Sequence, residues 1–183
     1  GPDKQPAWKL SVNDLIIKAL AMALRRVPDA NVTWTEGAML RHKTVDVGVA
    51  VAIEGGLFTP VIRNAEGMSF AEIELAINEF AARAKENKIR MEELQGGTFT
   101  ISNGGIYGSM LSTPIVNPPE VGILGVSRSS VEAVWNGANF EPRQLLPLSL
   151  SYDHRLIDGA DAARFLRYIC EGLENPAMLI FEG

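Results

Sequence analysis

The sequence predicts an α/β fold, a sheet with helices mainly on one face. Three observations predict it. Three segments carry apolar residues at helical spacing, two of them behind a capping signal. Between them lie short runs rich in β-branched residues. The order is helix, strands, helix, strands, helix, which is not a regular βαβ alternation.

The first helix opens at Ser11, where "SVND" places an acid three residues after a serine, as in a capping box. Val12, Leu15, Ile16, Ala19, Leu20, Ala23 and Leu24 follow at helical spacing. Arg25 and Arg26 occupy the last turn, where cations suit the carbonyl end of a helix, and Pro28 lies just beyond. Next come "VDVGVAVAI" (45–53) and "LFTPVIR" (57–63), separated by Gly55-Gly56, a hairpin signal. Pro60 cannot donate a ladder hydrogen bond, so it places the second run at a sheet edge or a bulge. Ser69 and Glu72 in "SFAE" start the second helix, with Phe70, Ile73, Leu75, Ile77 and Phe80 apolar and "ARAKENK" solvating its end. Further strand runs are "TFTIS" (98–102), "VGILGVS" (121–127), "VEAVW" (131–135) and "LPLSLSY" (147–152), with an Asn-Gly turn in "WNGANF". "NPPE" (117–120) reads as structural, two prolines fixing an extended lead into "VGILGV". The third helix begins near Gly159 and runs to Pro176.

The bulk composition bounds the function. With 183 residues, 46% hydrophobic and 21% charged, the chain suits one globular domain. No apolar run approaches the ~20 residues of a membrane helix, and the polar start "GPDKQPAWK" is no signal peptide. A net charge of -5 without a basic block argues against nucleic acid as a partner. A single cysteine, Cys170, excludes a disulfide framework and a zinc ribbon, and His42 and His154 are too few for a histidine-rich metal site. A reducing compartment follows.

Two stretches could carry chemistry. In "SLSYDHRLIDGADAARFL" (149–166), His154 sits between a strand and a helix, at a sheet end where a side chain is rigid and reachable. Asp158 follows four residues later, before Gly159. Spacing leaves two readings open: a catalytic base, or an ordinary turn in which Asp158 caps the next helix. In "GGTFTISNGGIYGS" (96–109), Ser102 could donate to an oxyanion. The glycines match neither a phosphate-binding loop nor a dinucleotide fingerprint, and alone they read as a turn. No G-x-S-x-G elbow supports a serine hydrolase.

Taken together, the segments resemble one family. "SYDHRLIDG" is similar to the His-x-x-x-Asp-Gly motif of the dihydrolipoyl acyltransferases, the core component of 2-oxo acid dehydrogenase complexes. The Asp-His-Arg start separates it from the related chloramphenicol acetyltransferases, which usually carry His-His. "SVNDLIIKALAMALRRVPDANVTW", "VDVGVAVAIEGGLFTPVIRNA", "GGTFTISNGGIYGS" and "VNPPEVGILGV" also look like family blocks in family order, so the resemblance spans residues 9 to 181.

The resemblance implies a chloramphenicol-acetyltransferase-like two-layer sandwich with a mixed sheet. It implies His154 as the general base on the thiol of coenzyme A or dihydrolipoamide, and Ser102 as oxyanion donor. Asp158 would order the histidine loop through an arginine. Thr59, Pro60 and Asn117 would border the coenzyme A side of the channel. Coenzyme A and a lipoyl group on a separate domain are the implied substrates, with no metal. The implied assembly is a homotrimer with His154 of one chain facing Ser102 of the next, joined into a cubic or icosahedral cage through the apolar tail "NPAMLIFEG". Implied partners are lipoyl domains and the 2-oxo acid dehydrogenase and dihydrolipoamide dehydrogenase components. The compartment would be the bacterial cytoplasm or the mitochondrial matrix.

Against the family pattern, residues 1–8 read as a linker or a cleavage remnant. Residues 9–183 read as a catalytic domain lacking its usual N-terminal segment, including the arginine that pairs with the motif aspartate. On that ground a structural core of reduced activity is the rival reading. The acyl group is split. "ILGVSRSSVEAVWNGANFEPRQLLPLSLSYDHR" and "DVGVAVAIEGGLFTPVIRNA" resemble the acetyltransferases of pyruvate complexes, whereas "MSFAEIE" and "TFTISNGGIYGSMLSTPIVNPP" look more like succinyltransferases. More of the chain points to acetyl.

Overall fold

A computed structural model describes residues 9–181; residues 1–8, read as a linker or a cleavage remnant, and the last two residues of the tail lie outside the described residues. Helix α1 (Val12–Arg26) leads to a hairpin of β1 (Val32–Thr35) and β2 (Ala38–Arg41). Strand β3 (Val47–Val49) is followed by a hairpin of β4 (Val51–Ile53) and β5 (Gly56–Phe58), then β6 (Val61–Ile62) and helix α2 (Phe70–Lys85). Strands β7 (Phe99–Asn103) and β8 (Gly122–Val126) precede a hairpin of β9 (Ser130–Trp135) and β10 (Phe140–Leu145). Strand β11 (Leu148–Tyr152), α3 (Gly159–Glu174) and α4 (Ala177–Phe181) complete the chain.

The central sheet has the order β11-β8-β7-β3-β6. Its inner pairs, β8 with β7 and β7 with β3, are parallel, and its outer pairs are antiparallel. The expected mixed sheet is therefore present. Both capping boxes form: Ser11 with Asp14 and Ser69 with Glu72 satisfy the free N–H groups of α1 and α2.

Helix α1 is buried on nearly all sides from Ile16 to Leu24, because it packs against both α2 and α3. The single apolar stripe expected from its spacing is too narrow for that position. Val12 from the stripe is exposed, while Lys18 is buried, its Nζ donating to the carbonyls of Glu66 and Met68 at 2.8 Å each.

Side chains alternate across β7. Phe99 and Ile101 point to the helices, and the Phe99 ring lies 5.3 Å from that of Phe165 on α3. Gly122 on β8 leaves the space this ring needs, since a Cβ there would stand 2.4 Å from it. Thr100 and Ser102 point to the opposite face. That face is small and polar: Gly48, Gly125 and Ser149 belong to it, and the segment before β8 lies on it, with Ser112 Oγ 3.2 Å from Ser149 Oγ.

Two predicted strands are each broken in two. Residues 45–53 divide into β3 in the sheet and β4 in a separate hairpin, and residues 57–63 divide at Thr59-Pro60 into β5 and β6. Pro60 is buried at that break, its carbonyl accepting the Val49 N–H at 2.9 Å, and β6 takes the sheet edge as a proline-led strand should. The hairpin β1–β2 and strand β10 carry no alternation to read: every residue of β2 is exposed, and β10 contains Pro142. Tail residues 177–181 form α4, where Leu179 is buried while Ile180 and Phe181 are exposed.

Candidate active site

The turn after β11 is built on Asp153. Its N–H bonds the Val121 carbonyl at 2.8 Å, and its own carbonyl accepts the N–H groups of Leu156 and Ile157 at 3.0 and 3.1 Å. Its carboxylate receives Arg155, Nη2 to Oδ2 at 2.7 Å and Nε to Oδ1 at 3.0 Å, and this hydrogen bonding holds the carboxyl below the usual range. Arg155 also lies over the Trp34 ring at 5.8 Å. His154 is exposed on this pinned turn, its ring 5.6 Å from that of Tyr152. The arrangement presents an imidazole to solvent on a short, multiply bonded loop.

Asp158 caps α3. Its Oδ1 accepts the Asp161 N–H at 2.9 Å, and this backbone bond is the main cause of its lowered pKa; Arg164 and His154 add smaller favourable charge effects. The ordinary reading of Asp158 as a helix cap is thus realised. Among the described residues no hydrogen bond or ion pair joins it to an arginine: Arg155 serves Asp153 and Arg164 serves Asp161.

Ser102 is half-buried near the C-terminal end of β7. It pairs with Gly125, and Gly125 pairs with Ser149. Tyr152, two residues before His154, pairs instead with Gly122. Gly122 and Gly125 are three residue steps apart along β8, roughly 10 Å. The chain therefore puts Ser102 and His154 at opposite ends of the sheet, far beyond the ~3 Å of a hydrogen bond.

The glycines after Ser102 serve packing. A Cβ on Gly105 would stand 2.6 Å from the Ser127 carbonyl oxygen, so the close approach is to the neighbouring backbone. Thr59 is half-buried with its methyl against Gly48, Pro60 is buried, and Asn117 is exposed, its carbonyl accepting the Glu120 N–H at 3.0 Å. Thr59 and the Asn117 turn therefore converge near Gly48, on the Ser102 face.

A cavity of about 360 Å³ opens against the histidine turn, lined by Trp34, Pro118, Glu120, Tyr152, Asp153 and Arg155 but not by His154 itself. A larger hollow of about 500 Å³, between the start of α1 and the end of β8, touches none of Ser102, His154 and Asp158. Sequence reasoning misses Glu120, because "NPPE" reads as structural, an extended lead into "VGILGV". The available signal was an acid placed directly before the apolar run of β8. Among the described residues no cluster of three or more His, Cys, Asp or Glu could hold a metal, and no helix is long and apolar enough to cross a membrane.

The fold is that of the chloramphenicol-acetyltransferase-like α/β sandwich: a chloramphenicol acetyltransferase superposes with a TM-score of 0.59 over 89% of this chain and 78% of its own, at 15% identity. Within that class the chain belongs to the 2-oxoacid dehydrogenases acyltransferase (catalytic domain) family, whose model matches residues 2–181. It is 44% identical over 97% of its length to a dihydrolipoyllysine-residue succinyltransferase component of the 2-oxoglutarate dehydrogenase complex from Rickettsia felis. It is 46% identical over 95% of its length to the acetyltransferase component of the pyruvate dehydrogenase complex from Rhizobium meliloti. The chain spans 44% and 39% of those two proteins. The cubic core of a pyruvate dehydrogenase multienzyme complex superposes with a TM-score of 0.91 at 43% identity, over 95% of this chain and 72% of that one.

Proposed function

We propose that the chain is the catalytic domain of a dihydrolipoyllysine acyltransferase, moving an acyl group between a dihydrolipoamide arm and coenzyme A at the core of a 2-oxo acid dehydrogenase complex. The observation that carries this reading is a spacing. An Azotobacter vinelandii dihydrolipoamide acetyltransferase, 44% identical over 94% of this chain and 72% of its own, was studied for the catalytic role of a serine, a histidine 52 residues later and an asparagine 4 residues beyond that. Ser102, His154 and Asp158 stand at the same intervals, with an aspartate in place of the asparagine.

His154 acts as the general base. It removes the proton of the attacking thiol, and the thiolate forms a new C–S bond at the thioester carbonyl carbon as the carbonyl π pair moves onto oxygen. Ser102 donates its hydroxyl to that oxyanion. When the oxyanion collapses, the original C–S bond breaks and the departing thiolate recovers the proton from His154. No covalent enzyme intermediate is needed. Asp158 fixes the start of α3 and, through it, the His154 turn. Thr59, Pro60 and Asn117 shape the coenzyme A side of the channel, Pro60 from behind as a buried bend.

The separation of Ser102 and His154 within one chain supports a homotrimer whose sites lie between neighbours. The exposed Ile180 and Phe181 support further assembly of trimers into a cage served by lipoyl domains and by the dehydrogenase components. Acetyl is the acyl group we favour, from the resemblance of residues 123–155. Succinyl is the second reading, and the succinyltransferases prominent among the relatives favour it.

The test is transfer from acetyl- and succinyl-coenzyme A to dihydrolipoamide, with His154→Ala as control. Transfer that the control abolishes is the expected result. An assembled chain that transfers neither group leaves only the core-forming role.

A further inference from the structure

The turn at Pro118-Pro119 delivers a carboxyl to which the reaction assigns no task. Glu120 Oε2 accepts the Thr100 hydroxyl at 2.5 Å. Its Oε1 lies 2.9 Å from where a Cβ on Gly97 would stand and 3.5 Å from one on Gly48, so two glycines make its seat. Among the described residues it has no cationic partner, and burial raises its pKa against the opposing effect of Thr100. A carboxyl sunk beside backbone with one donor costs stability that a neutral side chain would not. Groups of that kind gather at functional sites.

Its surroundings indicate the function. Glu120 forms part of the wall of the cavity against the histidine turn, together with Asp153 and with Tyr152, whose ring lies 5.6 Å from that of His154. Among the described residues the one cation of that wall, Arg155, is already bound by Asp153. With Asp153 and Arg155 paired, the group left to meet an acyl chain that passes from His154 along Tyr152 into this cavity is the Glu120 carboxyl.

We infer that Glu120 is a specificity-determining residue, whose carboxylate admits acyl groups with an uncharged end and rejects those that end in a carboxylate. The inference rests on the proposed acyl transfer at His154 and adds the chemical class of its substrate. Like charges brought together in a partly desolvated site repel, and rejection of this kind is a repulsive element in specificity.

Butyryl- and succinyl-coenzyme A test it, because both acyl groups have four carbons and differ in the terminal carboxylate. Transfer to dihydrolipoamide is measured for the chain and for Glu120→Gln, which keeps the shape of the side chain and an acceptor for Thr100. Binding of the same two thioesters, read by calorimetry, needs no turnover. The unsubstituted chain is expected to favour butyryl. Glu120→Gln is expected to raise the succinyl-to-butyryl ratio by about tenfold or more in kcat/KM and in affinity. A ratio that Glu120→Gln leaves unmoved overturns the inference. So does a native preference for succinyl, which would turn attention to Arg155. Binding with a shifted ratio but no transfer upholds the selection and sinks the acyl-transfer reading; absence of binding by either thioester sinks both.

Discussion

Ser102 and His154 stand at opposite ends of one sheet. Ser102 is level with Gly125 and Ser149, whereas His154 follows Tyr152, which is level with Gly122. A reaction that needs both groups must draw them from two chains. Ser102→Ala and His154→Ala variants should each lose most activity, and refolding them together in equal amounts should restore it. In a closed ring each site takes its serine from one chain and its histidine from the next, so about a quarter of mixed sites are intact. Co-refolded material with no more activity than the single variants would show that both groups act within one chain.

Asp158 carries the N-terminus of α3, so its removal should be felt in stability as well as in rate. Asp158→Ala is expected to lower the urea midpoint and Asp158→Asn to retain most of it, since an asparagine also accepts the Asp161 N–H. The pKa of Asp158 is lowered by that bond, so its contribution is full above the unfolded carboxylate range and fades as pH falls through the folded value. Denaturation curves from neutral to acid pH should therefore converge for the native chain and Asp158→Ala.

Asp14 should act in the opposite direction. It is fully buried in the first turn of α1, and burial raises its pKa from 3.8 to about 6, with the neighbouring Glu74 adding to the rise and Ser11 opposing it. Between those values the unfolded chain releases a proton that the folded chain retains. Stability from this group therefore falls as pH rises through that window, by at most about 1.4 kcal/mol per pH unit, and is flat above it. Asp14→Asn should remove this fall; an unchanged pH profile of the urea midpoint would count against the assignment.

Phe165 joins α3 to the sheet through Phe99 and is 1% exposed. Phe165→Ala should cost about 3–5 kcal/mol in denaturant unfolding, as for other large core truncations. A loss under about 1 kcal/mol would mean that the site collapses and that this contact matters little.

Local pattern made the secondary structure legible where one rule dominated. Serine followed three residues later by an acid marked the starts of α1 and α2, because the first N–H groups of a helix need acceptors. Exposed hairpins were poorly legible, since β2 buries nothing and leaves no alternation to detect. The breaks at Ala50 and Thr59-Pro60 were hidden because β-branched runs read the same whether a strand stays in one sheet or leaves it.

The sequence by itself determined the family, the caps of α1 and α2 and the approximate place of most sheet strands, all of which depend on local chemistry and motif order. Only the tertiary structure decided that Ser102 and His154 stand at opposite ends of the sheet, that Lys18 lies inside and Val12 outside, and that Glu120 lines the cavity against the histidine turn. Those facts follow from strand register and from which face of each element is covered. Both are set by contacts between residues distant in the chain, which spacing along the chain does not encode.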